Sequence, residues 1–324
     1  MKEITIGAGE AGQRLDKFLD RYLGLAGKSF LYKMLRKKNI VVNGKKADGA
    51  LRLSAGDRVI LYLSEETIGR FTRETETPDR LPPLTVIYED ADMIAVDKPA
   101  GLLSQKARPE DVSLCEMIVA YLIRTGQRTA EDDRFFRPGV CNRLDRNTSG
   151  LVLAGKNLHA QQQLSEIIRS RAAGKYYLAA VCGDFRGSLQ LKAYLEKEEA
   201  GNKVTVRADA FPGSEMIETG YEPLARGNGY TLLKVELVTG KTHQIRAHLA
   251  FLGYPIAGDP KYGDTARNRA LAADCGLHRQ LLHAWQLQLP GTAGLAGNGK
   301  KLTAPLPADF RRFLQKQGLE LPET

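Results

Sequence analysis

Residues 141–154, C-N-R-L-D-R-N-T-S-G-L-V-L-A, place a single carboxylate, Asp145, between Arg143 and Arg146 and then run into an apolar segment. A short apolar run that follows a glycine is typical of a buried strand. We therefore expect Asp145 to lie on a loop that leads directly into the core, where side chains are held firmly. An aspartate flanked by arginines is most often a surface ion pair, so a chemical role for Asp145 depends on features elsewhere in the chain.

The composition is that of an ordinary soluble globular protein, with 43% hydrophobic and 26% charged residues. A chain of 324 residues suits two domains, one of them large. No apolar run approaches the roughly 20 residues of a membrane helix, and residues 1–6 lack the apolar core of a signal peptide. The 4 cysteines are scattered without a C-x-x-C pair, which argues against a zinc site and a disulfide framework. These features predict a cytoplasmic protein.

Positive charge is concentrated near the N-terminus. Residues 1–64 hold 13 Lys and Arg against 6 Asp and Glu, and they carry most of the formal net charge of +9. A basic module joined to a near-neutral body indicates that the module binds a polyanion. The alternative is an ordinary solvated surface.

The N-terminal module, residues 1–64, is predicted to be a small α/β domain. Apolar residues at helical spacing predict amphipathic helices over residues 13–23 and 29–37. Asn43-Gly44 is a strong signal for a hairpin turn, and a strand is expected to end near residue 63. Residues 65–83, rich in Thr, Glu and Arg and ending in Pro-Pro, are predicted to be a linker.

The body, residues 84–324, is predicted to be α+β around a large mixed, mostly antiparallel sheet, because strands outnumber helices and do not alternate regularly with them. Strands are expected over residues 84–90, 93–99, 151–154, 175–181 and 231–238. Helices are expected near residues 114–123 and from Asn157, as N-cap, to about Arg171, with Gly174 at the end. Another helix follows residue 242 and stops at Gly253.

Two segments look like the end of a nucleotide-binding loop, at residues 27–29 and 240–242. Such a loop requires another glycine five residues before the first residue of each segment. That position holds Tyr22 in one case and Val235 in the other. Neither segment therefore predicts ATP or GTP binding.

His243 and His248 do not predict a metal site. They are about 140° apart on a helix, whereas zinc-binding pairs use i, i+4 spacing. The polar groups at the start of this helix would suit a phosphate or an acidic side chain, or they simply cap the helix.

Several quoted stretches resemble known families. Residues 13–19, Q-R-L-D-K-F-L, with Lys28-Ser29 and V-N-G-K at 42–45, resemble the alpha-L RNA-binding motif of the ribosomal protein S-four type. N-R-L-D-R-N-T-S-G at 142–150, K-Y-Y-L-A-A-V-C-G at 175–183 and V-T-G-K-T-H-Q-I-R-A-H-L at 238–249, followed by P-I-A-G-D-P-K-Y-G at 255–263, resemble the RluA family of RNA pseudouridine synthases. The likeness extends from residue 13 to about residue 312 and is closest to the RluC/RluD branch, which modifies large-subunit ribosomal RNA.

The resemblance implies a role for each residue at a motif position. It implies that Asp145 is the catalytic aspartate, that Tyr177 lies against the target base, and that Arg246 pairs with the aspartate. It further implies that Arg143 holds the flipped nucleotide. We expect further RNA contacts from a set of basic side chains: Arg146, Lys175, Lys241, His243, Arg14, Lys28, Arg36, Lys37 and Lys38.

The sequence departs from the family pattern at two positions. Asn142 stands where the family usually has His, and Lys241 stands where many members have Arg. Lysine keeps the charge but loses the bidentate fork of arginine. RNA contacts at these two positions are therefore expected to differ from those of the family.

The implied reaction converts uridine to pseudouridine by breaking the C1′–N1 bond, rotating the uracil and joining C5 to C1′. No redox change or net proton consumption is involved, so we expect no cofactor and no metal. Asp145 could add to the uracil ring, add to C1′ or remove the C2′ proton, and the sequence does not choose among them.

Other readings of the sequence remain open. The chain could be a non-catalytic RNA-binding or ribosome-assembly protein, or a synthase acting on transfer RNA. A hydrolase is disfavoured because two-metal nucleases need clustered carboxylates and aspartic hydrolases need two Asp motifs. We expect a monomer without a membrane partner, since no long apolar seam is evident.

Overall fold

The computed structural model describes residues 1–7, 9–72, 81–197, 203–291, 294 and 296–321. Its N-terminal unit is a four-stranded sheet, ordered β1-β4-β2-β3, with two helices packed on it. The elements of this unit are β1 (Lys2–Thr5), α1 (Leu15–Tyr22), α2 (Lys28–Arg36), β2 (Ile40–Val42), β3 (Lys45–Lys46), β4 (Arg58–Leu61) and α3 (Glu65–Phe71). Between β2 and β3, Asn43 and Gly44 have φ values of 51° and 73°, the positive pair that the predicted two-residue hairpin requires.

The segment predicted as a linker begins with a helix, α3, which the sequence analysis missed. The Ser64 hydroxyl caps this helix by accepting a hydrogen bond from the Thr67 amide. Ile68 and Phe71 pack against the core of the N-terminal unit, where the Phe71 ring lies 4.6 Å from that of Phe30. Two apolar residues among charged ones gave too weak a periodic signal to predict a helix. Residues 73–80 of the predicted linker lie outside the described residues.

The body is built on a ten-stranded sheet ordered β10-β9-β11-β12-β8-β13-β7-β6-β5, with β14 paired to β13. The strand pair β7–β13 is parallel and the other pairs in the described chain are antiparallel, which confirms the predicted fold class. Its elements are β5 (Val86–Glu89), β6 (Met93–Lys98), α4 (Leu114–Arg124), β7 (Ser149–Gly155), α5 (Leu158–Arg169), β8 (Gly174–Cys182), β9 (Leu189–Lys197), β10 (Val204–Arg207), β11 (Glu215–Gly227), β12 (Tyr230–Leu237), α6 (Gln244–Phe251), α7 (Thr265–Cys275), β13 (Leu282–Gln288), β14 (Lys301–Thr303) and α8 (Ala308–Gln317).

The predicted buried strand after Asp145 is β7, in which every residue is buried. Gly150 has a φ of 115°, and a Cβ atom at this position would lie 2.2 Å from the carbonyl oxygen of Ala284. Only glycine fits here, since the chain leaving the Asp145 loop runs directly against the backbone of β13. This close crossing holds the end of the loop against β13, inside the sheet.

The end of α5 differs from the expectation. Asn157 caps its start, as predicted, by accepting a hydrogen bond from the Ala160 amide. The helix ends at Arg169, and the left-handed residue that follows is Arg171, with a φ of 63°. Gly174, predicted to end the helix, is instead the first residue of β8.

The two units contact each other through Phe135, which lies between α4 and β7. Its ring centroid lies 6.2 Å from that of Phe18 and 5.8 Å from that of Tyr22, both on α1. Arg21 Nη1 donates a hydrogen bond to the Phe135 carbonyl oxygen at 3.2 Å. The N-terminal unit therefore packs against the body through aromatic contacts. Within the described ranges, none of the helices has the length and hydropathy needed to cross a bilayer.

Candidate active site

Asp145 and Arg246, 101 positions apart in the chain, form an ion pair. Arg246 projects from α6, and its Nη1 donates to Asp145 Oδ2 at 2.8 Å. The Arg246 side chain is 6% exposed, whereas that of Asp145 is 26% exposed. The carboxylate thus lies at the boundary between core and solvent, with a buried cation behind it.

Asp259 holds the same guanidinium from the other side. Arg246 Nε donates to Asp259 Oδ2 at 2.7 Å, and Nη2 donates to Oδ1 at 3.0 Å. Asp259 is fully buried. Burial alone would lower the pKa of Arg246, but the hydrogen bonds to Asp259 and Asp145 raise that pKa above its usual value, so the guanidinium stays charged. Asp259 lies within the quoted stretch 255–263, but nothing in the sequence pattern singled it out.

The loop that carries Asp145 is held at its backbone. The Ser104 hydroxyl accepts from the Leu144 amide at 3.0 Å and donates to the Leu144 carbonyl at 2.9 Å. Buried Lys98 donates through Nζ to the Arg146 carbonyl at 3.1 Å and to two further carbonyl oxygens. Burial lowers the pKa of Lys98 to about 7, although the nearby Asp145 raises it. Both neighbours of Asp145 along the chain are therefore fixed, by contacts that were not predicted from the sequence.

Tyr177 lies on β8 with its side chain directed at this site. It is 7% exposed, and burial, together with the charge of Asp145, raises the pKa of its hydroxyl well above the usual range. The hydroxyl is therefore protonated at neutral pH. Tyr176 lies on the opposite face of the strand, as the alternation predicted, with Lys234 Nζ 5.3 Å from its ring centroid.

His243 is the N-cap residue that precedes α6, in a left-handed conformation with a φ of 54°. Its Nε2 lies 3.9 Å from Asp145 Oδ2, and its Nδ1 lies 3.0 Å from the Tyr262 hydroxyl oxygen. Burial lowers the pKa of His243, while Asp145 opposes that shift. The imidazole is thus held between Asp145 and a tyrosine that the sequence analysis did not consider.

These side chains surround one cleft of about 50 Å³ that opens to solvent. The cleft brings together five of the predicted residues from three separate motifs, namely Arg143, Asp145, Tyr177, His243 and Arg246. Four apolar side chains, Leu144, Leu237, Ile245 and Leu282, line it as well, together with the polar Thr148 and Gln244. A carboxylate, a guanidinium and a phenol around a cleft with apolar side chains in its wall can bind a planar polar ring beside a sugar.

Three of the cations predicted to bind RNA are engaged within the protein. Lys175 is buried, which lowers its pKa. Lys241 forms an ion pair with Glu215, and Arg14 binds Asp16 through Nε at 3.1 Å and Nη2 at 2.7 Å. The remaining predicted cations outside the cleft are exposed: Arg146, Lys28, Arg36, Lys37 and Lys38.

Asn142, which replaces the usual histidine, binds the protein backbone. Its Nδ2 donates to the Leu151 carbonyl at 3.1 Å, and its Oδ1 accepts from the Leu153 amide at 2.8 Å. The side chain therefore supports the edge of β7 instead of facing the cleft. In the part of the chain that the structure describes, no group of three His, Cys, Asp or Glu side chains could hold a metal ion.

Comparison with known proteins gives consistent matches along the chain. The model of a family described as RNA pseudouridylate synthase matches residues 92–251, and that of the S4 domain matches residues 13–59. The chain is 33% identical to ribosomal large subunit pseudouridine synthase C of Escherichia coli strain K12, covering 98% of this chain and 96% of the relative. It is 31% identical to ribosomal large subunit pseudouridine synthase D of Nitrosomonas europaea, covering 97% and 87%.

One solved structure, human RNA pseudouridylate synthase domain containing 4, has a TM-score of 0.60 against this chain at 22% sequence identity. The match covers 74% of this chain and 95% of that one. The body therefore shares the fold of that protein, and the full-length matches confirm the resemblance found in the sequence.

Proposed function

The chain belongs to the RNA pseudouridylate synthase family, an isomerase family, and from this premise we propose that it converts uridines of large-subunit ribosomal RNA to pseudouridine with Asp145 as the catalytic carboxylate. The observation that carries the proposal is the Asp145–Arg246–Asp259 arrangement at the edge of the cleft that Tyr177 also lines. The two bacterial relatives are named as ribosomal large subunit enzymes and match this chain over nearly its whole length. We further propose that the protein acts as a monomer in the cytoplasm, in three parts: an RNA-binding domain over residues 1–64, a connection and a catalytic domain.

The reaction needs a carboxylate that is ionised and correctly oriented. Arg246 occupies Asp145 Oδ2, and Oδ1 has no hydrogen-bond donor among the described residues. We therefore assign the reactive role to Oδ1. During the isomerisation the C1′–N1 bond breaks, the C5–C1′ bond forms, and the proton on C5 is replaced by one on N1, so atoms and charge balance.

Tyr177 and Arg143 are proposed to hold the flipped nucleotide. Extruding a base costs a few kcal/mol, and stacking on an aromatic ring returns about 1–3 kcal/mol per base. The buried Tyr177 ring supplies the stacking surface, while the exposed Arg143 guanidinium binds the phosphate backbone. The cleft opens to solvent, so an extruded base can approach Asp145 and Tyr177 from outside.

The decisive experiment substitutes Asp145→Asn and measures pseudouridine in a transcript of large-subunit ribosomal RNA by mass spectrometry. We expect no product, with RNA affinity close to wild type because the amide keeps the size of the carboxylate. Asp209→Asn, at an exposed aspartate distant in sequence from the site, is the matched control and should retain full activity. Product formation by Asp145→Asn at the wild-type rate would refute the assignment.

A synthase acting on transfer RNA is the second candidate. The proposed contacts in the cleft are to the target nucleotide and do not identify the RNA around it. Mapping pseudouridines in both RNA classes from cells with and without this protein distinguishes the two. Loss of a pseudouridine from ribosomal RNA supports the proposal, whereas loss from transfer RNA alone contradicts it.

A further inference from the structure

Tyr32 is an exposed aromatic residue on α2 that the proposed active site does not use. Its side chain is 42% exposed, whereas the neighbouring apolar residues Leu31, Met34 and Leu35 face the core. Single exposed apolar residues are common on protein surfaces. The surroundings of this ring therefore decide whether it has a role.

The Tyr32 ring is held in a fixed orientation. Its hydroxyl donates to Asp16 Oδ2 at 3.0 Å, and Arg14 holds the same carboxylate. A Cβ atom on Gly49 would lie 3.0 Å from Tyr32 Cε1, so the ring rests directly against the backbone at this glycine. A surface ring that is already immobilised loses little conformational entropy when a ligand packs on it.

The ring separates two clefts with different charge. On one side lies a cleft of about 420 Å³ lined by Leu35, Arg36, Lys46 and residues 47–49. Arg36 and Lys46 are exposed and, among the described residues, form no ion pair. The acid in this cleft, Asp48, accepts a hydrogen bond from the Ala50 amide within its own turn.

The cleft on the other side of Tyr32 is smaller, with about 70 Å³, and its two lysines face two aspartates. Lys17 and Lys28 are offset there by Asp16 and Asp20. An anionic ligand is therefore favoured in the larger cleft, next to Arg36 and Lys46.

We infer that Tyr32 is a stacking platform for an unpaired nucleobase of the RNA, with Arg36 and Lys46 binding the flanking phosphates. A flat ring beside two cations suits a single strand, in which each base lies next to backbone phosphates. The inference rests on the proposed function in one respect, that the ligand is RNA. It describes a second contact, on the N-terminal unit, that is separate from the Asp145 cleft.

Stacking can be separated from charge by using two RNAs with equal numbers of phosphates. The probes are a fluorescently labelled single-stranded oligouridylate and an oligomer of the same length with abasic positions. Full-length Tyr32→Ala should bind the oligouridylate about fivefold to 150-fold more weakly, the range expected for loss of one base stack. Its affinity for the abasic oligomer should be unchanged.

Further variants distinguish the aromatic face from other effects. Tyr32→Phe keeps the ring against Gly49 but loses the hydrogen bond to Asp16, so it should bind the abasic oligomer as the wild type does and lose much less affinity for the oligouridylate than Tyr32→Ala. Tyr32→Leu keeps an apolar side chain without a π face and should show the same selective loss as Tyr32→Ala. Lys46→Ala should weaken binding of both RNAs and reduce the slope of log affinity against log salt by about 1.

Tyr62, 51% exposed on the same unit, supplies the matched control. Tyr62→Ala should bind both RNAs with wild-type affinity. The inference is overturned if the Tyr32 variants bind the oligouridylate normally, if they lose affinity for both RNAs equally, or if Tyr62→Ala shows the same selective loss. Because the assay measures binding alone, its outcome does not depend on whether Asp145→Asn retains activity.

Discussion

Arg246 and Asp259 form a buried bidentate ion pair in which Nε and Nη2 of the guanidinium bind both carboxylate oxygens, at 2.7 and 3.0 Å. This geometry leaves Nη1 to bind Asp145 at 2.8 Å. Because the guanidinium is planar and rigid, the fully buried Asp259 carboxylate fixes the position of Nη1. Nη1 in turn fixes the partly exposed Asp145 carboxylate. Asp259 is therefore a positioning residue, acting on Asp145 through Arg246.

We predict that Asp259→Asn lowers kcat about tenfold to 100-fold with little change in RNA affinity, by analogy with the supporting shells of other sites. Breaking one side of a buried ion pair also costs about 3–5 kcal/mol of unfolding free energy. Single-turnover kinetics and urea unfolding measure the two effects. Asp184→Asn weakens exposed ion pairs with Arg186 and Arg226 and is the control, expected to change neither quantity. An unchanged kcat for Asp259→Asn would contradict the positioning role.

Lys98 should make stability depend on pH. Its pKa falls from 10.5 to about 7 on burial in the folded chain. Between these values the unfolded chain binds more protons than the folded one, so the stability of the fold rises as pH rises from about 7 toward 10.5. At two pH units above the folded pKa the gain is about 2–3 kcal/mol.

The variant Lys98→Met removes this titration and leaves carbonyl groups near the Asp145 loop without a donor. We expect it to be less stable than the wild type, by about 1–3 kcal/mol for each buried group left unsatisfied. The difference should widen as pH rises from 7 to 9. Urea unfolding at both pH values gives the change in unfolding free energy with pH for each protein. An equal change for wild type and variant would contradict the assignment.

Periodic patterns in the sequence predicted most of the helices and strands. They could not predict the contacts that hold the site together. The alternation at Tyr176 and Tyr177 correctly indicated that one ring faces each side of β8, because strand geometry is local. The pairing of Asp145 with Arg246 came from the family resemblance, since a contact spanning 101 positions leaves no periodic signal. Asp259 and Lys98 were missed for the same reason.

Tyr177 should contribute its hydroxyl as well as its ring. Tyr177→Phe keeps the stacking surface, so we predict unchanged RNA affinity and a slower single-turnover rate if the high-pKa hydroxyl donates a proton during the reaction. Rapid-quench measurement of pseudouridine formation provides the rate. Tyr176→Phe, on the opposite face of the same strand, is the control and should behave as the wild type. A wild-type rate for Tyr177→Phe would restrict this residue to packing.

The last prediction concerns the contact between the two units. Phe135 packs on Phe18 and Tyr22, and aromatic pairs are worth about 0.5–1.5 kcal/mol beyond the area that they bury. Phe135→Ala should therefore release the N-terminal unit and increase the radius of gyration in small-angle X-ray scattering. The distance between the Asp145 cleft and the N-terminal RNA contacts would then no longer be fixed.

This loss should affect long and short substrates differently. An intact ribosomal RNA that reaches both sites gains from their fixed spacing, because the second contact is made at high effective concentration. We expect kcat/KM of Phe135→Ala to fall about tenfold on such an RNA, the factor that corresponds to about 1.4 kcal/mol. A short RNA that occupies the Asp145 cleft alone should be modified at the wild-type rate.

Leu189→Ala truncates an exposed apolar residue on β9 and should leave both substrates unaffected. Equal losses on both RNAs would show that Phe135 supports the catalytic domain itself, and an unchanged radius of gyration would show that Phe135 does not hold the units together.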